Sequence, residues 1–344
     1  MATILLRSPY YETKSEAYDA VNSLVAKSAT LTLSVDGTQI SEMSKDTVLS
    51  GTSGQETGTV AFEIADLCRD YLDITFNNSY TSQTILIEGN IQFKSATIDD
   101  INTGGAVSNM GSYSIGPHRG LDGFYEFMEG LGTGNTPPNS AKTIAVTQDE
   151  ILQDNTQLYY PDNTAGVIPY FDRNTSAIVY DTFSASAISK TTLSTTFTIN
   201  RVCNKHTAYK VTFVNKYGAL QDFYFNGKTT ENINVSKTTF KRNIANSSFE
   251  YDKQKHSIRQ FNTLANETLI LNTPPMSYDN VNEAIKQLLV SEQVWIRKEE
   301  GGSEQTIPIN ITDTQQTFKT GVNDKVVQYT ITAEYAFDMI SNIR

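Results

Sequence analysis

Near the C-terminus, "VQYTITAEYAF" places Val327, Tyr329, Ile331, Ala333, Tyr335 and Phe337 at every second position. A period of two puts successive side chains on opposite faces of an extended chain, so this segment buries one face only as a β-strand. The same period recurs along the sequence. "SATLTLSVDGTQI" alternates Leu31, Leu33 and Val35 with Thr and Ser, then reaches Asp36-Gly37, a dipeptide suited to a two-residue hairpin turn. "TILIEGNIQFKSATI" carries Ile85, Ile87, Ile91 and Phe93, with Gly89-Asn90 expected as a turn. "AYKVTFVN" puts Tyr209, Val211 and Phe213 on one face, and "TLSTTFTI" sets Leu193 against Phe197 and Ile199. "VWIRKEEGGSEQTIPINI" reads as a hairpin around Gly301-Gly302, with Ile307, Ile309 and Ile311 sharing a face.

Two stretches change to a helical period. In "VAFEIADLCRDYLDITF", Ile64, Leu67, Cys68, Tyr71 and Leu72 recur at i, i+3, i+4, i+7 and i+8, which predicts one apolar stripe. In "SYDNVNEAIKQLLVSEQ", Val281, Ile285, Leu288 and Leu289 form a second stripe, and Ser277 or Asp279 can cap its start. The expected fold is therefore mainly β: two β-sandwich or β-barrel-like domains, each with one short helix. They are expected at residues 1–101 and 201–344, joined by a Gly/Asn-rich irregular middle segment with short strands at 102–200. Long irregular segments are often ordered by partners, and within this one "GFYEFMEGL" is compatible with a single helical turn.

Charge narrows the partners. The chain of 344 residues carries 27 Lys and Arg against 38 Asp and Glu, a net of −11, which disfavours wrapping nucleic acid. A basic run, "KTTFKRN" at Lys237 to Asn243, reads as a solvated strand edge, with a local basic patch as the alternative. At the N-terminus only Ile4 to Leu6 are consecutively apolar, too few for a secretory core, and no stretch approaches the length of a membrane span. First folding in a cytoplasm is the expectation. Cys68 and Cys203 make no disulfide framework and are expected as buried thiols. With His118, His206 and His256 scattered, no zinc site is expected.

Catalytic signatures are sparse. "GLGTGN" at Gly130 to Asn135 lacks the Lys-Ser/Thr of a phosphate loop, and no Gly-x-Ser-x-Gly elbow occurs. "GPHRGLDG" at Gly116 to Gly123 holds His118, Arg119 and Asp122, either as a polar binding or catalytic loop or as a turn-rich arm whose charges pair locally or with a neighbouring subunit. Glu126 and Glu129 are not distinguished from surface acids. The expectation is no enzyme, no catalytic residues, no cofactor and no metal.

The stretch "FVNKYGALQDFYFNGK" packs aromatics around a Lys-Tyr-Gly turn. Phe213, Leu220, Phe223 and Phe225 suit a sandwich core, while Tyr217 and Tyr224 are candidates to face outward at a subunit interface. A sugar-stacking platform is the third reading.

Three groups of segments carry a resemblance. They are "ILLRSPYYE" with "VAFEIADLCRDYLDITFN", then "YKVTFVNKYGALQDFYFNGK", and "LNTPPMSYDNVNEAIKQLLVSEQVWI" with "IPINITDTQQTFKTGVNDKVVQYTITAEYAF". Together they resemble virion structural proteins of tailed bacteriophages, as in Bacteroidota-infecting and crAss-like phages. The resemblance covers the two ends of the chain and leaves the Gly-rich middle unmatched. It implies a tail or neck ring, adaptor or hub protein, assembled in the host cytoplasm and located in the virion. The implied partners are further copies in a symmetric ring and other tail, neck or portal-proximal proteins. The alternative is a carbohydrate- or receptor-binding module at a tail tip, using exposed Tyr and Trp295.

Overall fold

Alternation becomes strands throughout, and the protein is mainly β with few short helices. The computed structural model describes residues 2–126, 149–203, 205–245, 248, 250–251, 253–276, 281–300, 303–318 and 327–338. The Gly301-Gly302 turn, the Ser277 and Asp279 caps, "GLGTGN" and most of "GFYEFMEGL" lie outside them. Among the described residues no helix is long and apolar enough to cross a membrane.

The chain divides into two compact units whose segments interleave. The first holds Met1–Thr156, Ala165–Thr198 and Val214–Gln221; the second holds Gln157–Thr164, Ile199–Phe213 and Asp222–Arg344. Three consecutive blocks were the expectation from sequence. Long-range strand pairing, which a linear reading does not see, makes the segments alternate instead.

In the first unit, β1 (Ala2–Leu5), β3 (Ser28–Val35), β4 (Thr38–Asp46), β7 (Ile85–Lys94) and β8 (Asn109–Leu121) form one sheet in the order β1-β8-β7-β3-β4. A second sheet, β2-β6-β5, is built from β2 (Tyr11–Ala17), β5 (Val48–Ser50) and β6 (Thr57–Glu63). Leu31, Leu33, Ile87, Ile91 and Phe93 from the first sheet share one core with Val60 and Phe62 from the second. Asp36 and Gly37 turn β3 into β4 with φ of 48° and 80°, the left-handed pair expected of that dipeptide.

Gly89-Asn90 is not a turn; β7 runs straight through it. A Cβ on Gly89 would lie 2.5 Å from the Thr32 carbonyl oxygen, so glycine here permits close strand approach beside a register shift. "GPHRGLDG" is likewise no free loop, because Gly116 to Leu121 belong to β8; His118 to Leu121 pair with β1, and His118 to Gly120 pair also with β7.

The first expected helix is short: α1 spans Ala65–Arg69, and Tyr71 beyond it is exposed. Ile74 and Phe76 are both buried, and burying residues two apart demands an extended chain, which ends the helix early. A helix not anticipated, α2 (Ile98–Thr103), was signalled by Thr97 and Asp100, which form a reciprocal capping box, and by Gly104 at φ 74° after its end.

The remaining strands of this unit include β9 (Glu150–Ile151), β11 (Gly166–Asp172) and β12 (Ala177–Phe183), which pair as β12-β11-β9. β13 (Ser189–Thr192) pairs with the start of β14 (Thr195–Val202). Phe197 and Ile199 are buried as expected, but Leu193 is an exposed turn residue at φ 54°.

The second unit centres on a seven-stranded sheet in the order β16-β15-β19-β20-β21-β18-β17. Its strands are β15 (Tyr209–Val214), β16 (Leu220–Phe225), β17 (Thr230–Lys241), β18 (Ile258–Asn272), β19 (Val294–Glu300), β20 (Ser303–Ile311) and β21 (Thr330–Tyr335). Helix α3 (Val281–Val290) buries Ala284, Ile285 and Leu288 in a core with Val211, Phe213, Phe225, Leu269, Leu271, Ile296, Ile309 and Ile331. Full burial of each large apolar side chain stabilises by about 1.5–3 kcal/mol, so this cluster anchors the sheet.

Candidate interaction surface

Strand β17 has the sequence "TENINVSKTTFK", and all twelve of its residues are exposed. It is the edge strand and pairs with β18 from Thr230↔Ile270 to Lys241↔Ile258. On its other side β18 pairs with β21 only through Thr268–Asn272. From Glu267 outward, β17 and β18 are therefore a two-stranded ribbon. At roughly 3.3 Å per residue, its nine residues of β17, Ile233 to Lys241, reach about 30 Å. The expected solvated edge at Lys237 to Asn243 is confirmed for the strand itself, with Lys237 to Lys241 all exposed.

The register places apolar residues on both ribbon faces. Val235 lies opposite Ala265 and Lys241 opposite Ile258, while Ser236 lies opposite Leu264 and Thr238 opposite Phe261. Consecutive residues of β17 alternate faces, so Ile233 and Val235 share one face and Phe240 lies on the other. Phe240 and Phe261 meet edge to face at 5.5 Å. Ile233, Val235, Phe240, Ile258, Phe261 and Leu264 are 37–61% exposed. Covering the remainder of each side chain would gain about 1 kcal/mol apiece.

A register shift between Lys237 and Thr238, with Asn262 at φ 52°, bends the ribbon at mid-length. At its base, Ile233, Val235, Leu264, Asn266, Glu334 and Asp338 line an open groove of about 520 Å³. An isolated hairpin is marginally stable in water, and an exposed apolar ribbon of this length is the usual mark of a surface that meets a partner.

The aromatic hairpin is the opposite case. Phe213, Leu220, Phe223 and Phe225 are buried as the alternation requires. Tyr224 is not outward: it is 6% exposed and packs its ring 4.8 Å from Tyr160, and burial pushes its hydroxyl pKa strongly upward. The Tyr217 hydroxyl donates to Asp154 at 2.7 Å. Trp295 is 7% exposed, so the residue required by the sugar-stacking alternative is inside the protein. The cause is topology: β19 lies between β15 and β20, and an interior strand leaves few of its side chains in solvent.

At the hairpin tip, counted with the first unit, Asn215 is fully buried. Its amide donates to the Leu152 carbonyl at 2.7 Å and to Gln221 Oε1 at 3.1 Å; its oxygen accepts from the backbone of Tyr217 and Ala219. Gln221 in turn donates to Asn155, and Lys216 pairs with Asp154 at 2.9 Å. Further down the strands, Asp222 accepts from Thr212 at 2.7 Å and pairs with Lys210 at 3.2 Å.

Two polar residues of "GPHRGLDG" meet side chains of the first unit. His118 Nε2 lies 2.7 Å from Glu12 Oε1, its ring is edge-on to Tyr10, and Arg119 donates to Thr84. Burial lifts the Glu12 carboxyl, but the His118 hydrogen bond and charge, with Lys14 and Tyr10, outweigh it and hold the pKa below its ordinary value. Burial and the Glu12 charge push the Tyr10 hydroxyl up to about 12.

Cys68 is buried, and burial raises its thiol to about 12; Cys203 is exposed, contrary to expectation, because it follows β14 outside any core. No group of three or more His, Cys, Asp or Glu among the described residues is arranged to hold a metal ion. No protein-family model matches the chain, and no curated protein is similar to it.

Proposed function

We propose that the protein is a structural subunit of a tailed-bacteriophage virion, a ring, adaptor or hub component of the tail or neck that works through subunit contacts and breaks no covalent bond. The observation that carries this reading is the β17–β18 ribbon, whose two faces both present apolar side chains to solvent. A ring subunit needs two different complementary surfaces, because head-to-tail contacts close by rotation, and a projecting strand pair supplies one of them. The likeness of both chain ends to virion proteins supports the particle as the setting. Its partners in this reading are further copies and other tail, neck or portal-proximal proteins.

The test is mass spectrometry of purified particles, with antibody labelling in electron microscopy. The expected result is the chain at several copies per particle, labelled at the tail or neck. Its absence from particles formed in cells that express it would overturn the reading.

A further inference from the structure

The ribbon differs from the rest of the protein in charge as well as exposure. In sequence, residues 237–263 carry Lys237, Lys241, Arg242, Lys253, Lys255 and Arg259 against Glu250 and Asp252. Six against two is a net of +4. The whole chain carries −11, so the remainder holds −15. Much of that negative charge is in residues 1–126, where sixteen acids face seven bases for a net of −9. Several of these acids are exposed, including Asp66, Asp70 and Asp73 around α1 and Asp99 and Asp100 on α2.

We infer that the distal ribbon docks onto the acidic first unit of a second copy of this chain. The inference rests on the structural-subunit reading and adds to it the surface and the partner. Opposite fields on two parts of one molecule attract head to tail between copies and set the register of the encounter. The apolar residues Phe240, Ile258 and Phe261, exposed between the basic ones, then supply the contact that charge alone does not hold. Duplex nucleic acid is the competing occupant of a basic ribbon, but the negative charge on the rest of the chain repels a phosphate backbone and attracts the ribbon of another copy.

Mixing unlabelled and heavy-nitrogen-labelled full-length chain, then joining amines to carboxylates with a carbodiimide, tests this directly. The expected products are mixed-mass peptides linking Lys237, Lys241, Lys253 or Lys255 to carboxylates within residues 2–126. The triple variant K237E/K241E/R259E is expected to lower their yield about tenfold. If that variant does not fold, the same drop is expected of the unaltered chain when salt is raised to about 0.5 M, where exposed charges are screened.

Links confined to chains of one label overturn the inference. Capture of a labelled DNA duplex through the ribbon, with mixed links absent, overturns it in favour of nucleic acid. Finding the chain in particles with its ribbon joined only to a different protein defeats this inference and leaves the structural-subunit reading intact. Mixed links with the chain missing from particles do the reverse.

Discussion

Two hairpins that follow each other in sequence have opposite fates. In β15–β16 the residues Val211, Phe213, Phe223 and Phe225 are buried, and the tip is held by the Asn215 network. In β17–β18 every residue of the first strand is in solvent. Both alternate, and both contain aromatics. The difference lies in what covers them. β15 is paired on both sides, by β16 and β19, and α3 contributes to the same core, whereas β17 has one neighbour and that neighbour leaves the sheet after five residues. β16 is an edge strand with one neighbour, as β17 is, yet it is buried, so alternation specifies a strand while what packs over its faces decides whether its apolar side is core or contact surface.

That contrast is broken most sharply by truncating one phenylalanine in each hairpin. Phe213→Ala removes a fully buried ring from the main core and should cost about 3–5 kcal/mol in chemical denaturation. A loss below about 1 kcal/mol would mean that the hairpin is not built into the core as described. Asn215→Ala comes next. It strips four hydrogen bonds and takes a donor from the Leu152 carbonyl and from Gln221 Oε1, for an expected loss of about 2–3 kcal/mol. Asp should not rescue it, because its second oxygen would face two acceptors, the Leu152 carbonyl and Gln221 Oε1, in a fully buried site.

Much of this was legible and some was not, for reasons that attach to particular residues. The alternating runs gave the strands because period two is local, and Asp36-Gly37 gave its turn because the dipeptide favours left-handed φ. Gly89-Asn90 carried the same kind of signal but serves strand approach to Thr32, a contact made with a residue 57 positions away. α2 carries cap signals at Thr97, Asp100 and Gly104 but buries no residue, so no apolar stripe marks it. Alternation does not say that Trp295 sits on an interior strand, and Tyr224, on the edge strand β16, is covered by Tyr160, a residue 64 positions earlier. The ribbon was half visible: its basic run was recognised as an edge, but its length depends on where β18 parts from β21.

Acid titration probes a smaller effect in the first unit, at Glu12. Its folded pKa lies below the ordinary 4.5, so the unfolded chain binds more protons through that window. The stabilisation is present above about pH 4.5 and is lost as pH falls through the folded value. His118→Ala removes the main partner that lowers it and should flatten the acid limb of the stability curve, with a loss of about 1–2 kcal/mol at neutral pH. An acid limb identical to that of the unaltered protein would show that this pair does not contribute.

The smallest change in stability is expected where the comparison is most exposed. Phe240→Ser lies on β17, 42% exposed, where its ring meets Phe261 edge to face. Its folding free energy should move by no more than about 0.5 kcal/mol, against several for Phe213→Ala. Its effect belongs to association: losing half of an apolar ring pair from a free surface weakens any partner that covers it, while charge and fold remain. Denaturation and particle incorporation measured on the same variant separate these. A protein that folds as well as the unaltered chain but enters particles poorly places Phe240 at a contact. A protein that loses several kcal/mol would mean that the ribbon packs against its own subunit, and the two hairpins would then differ in degree rather than in kind.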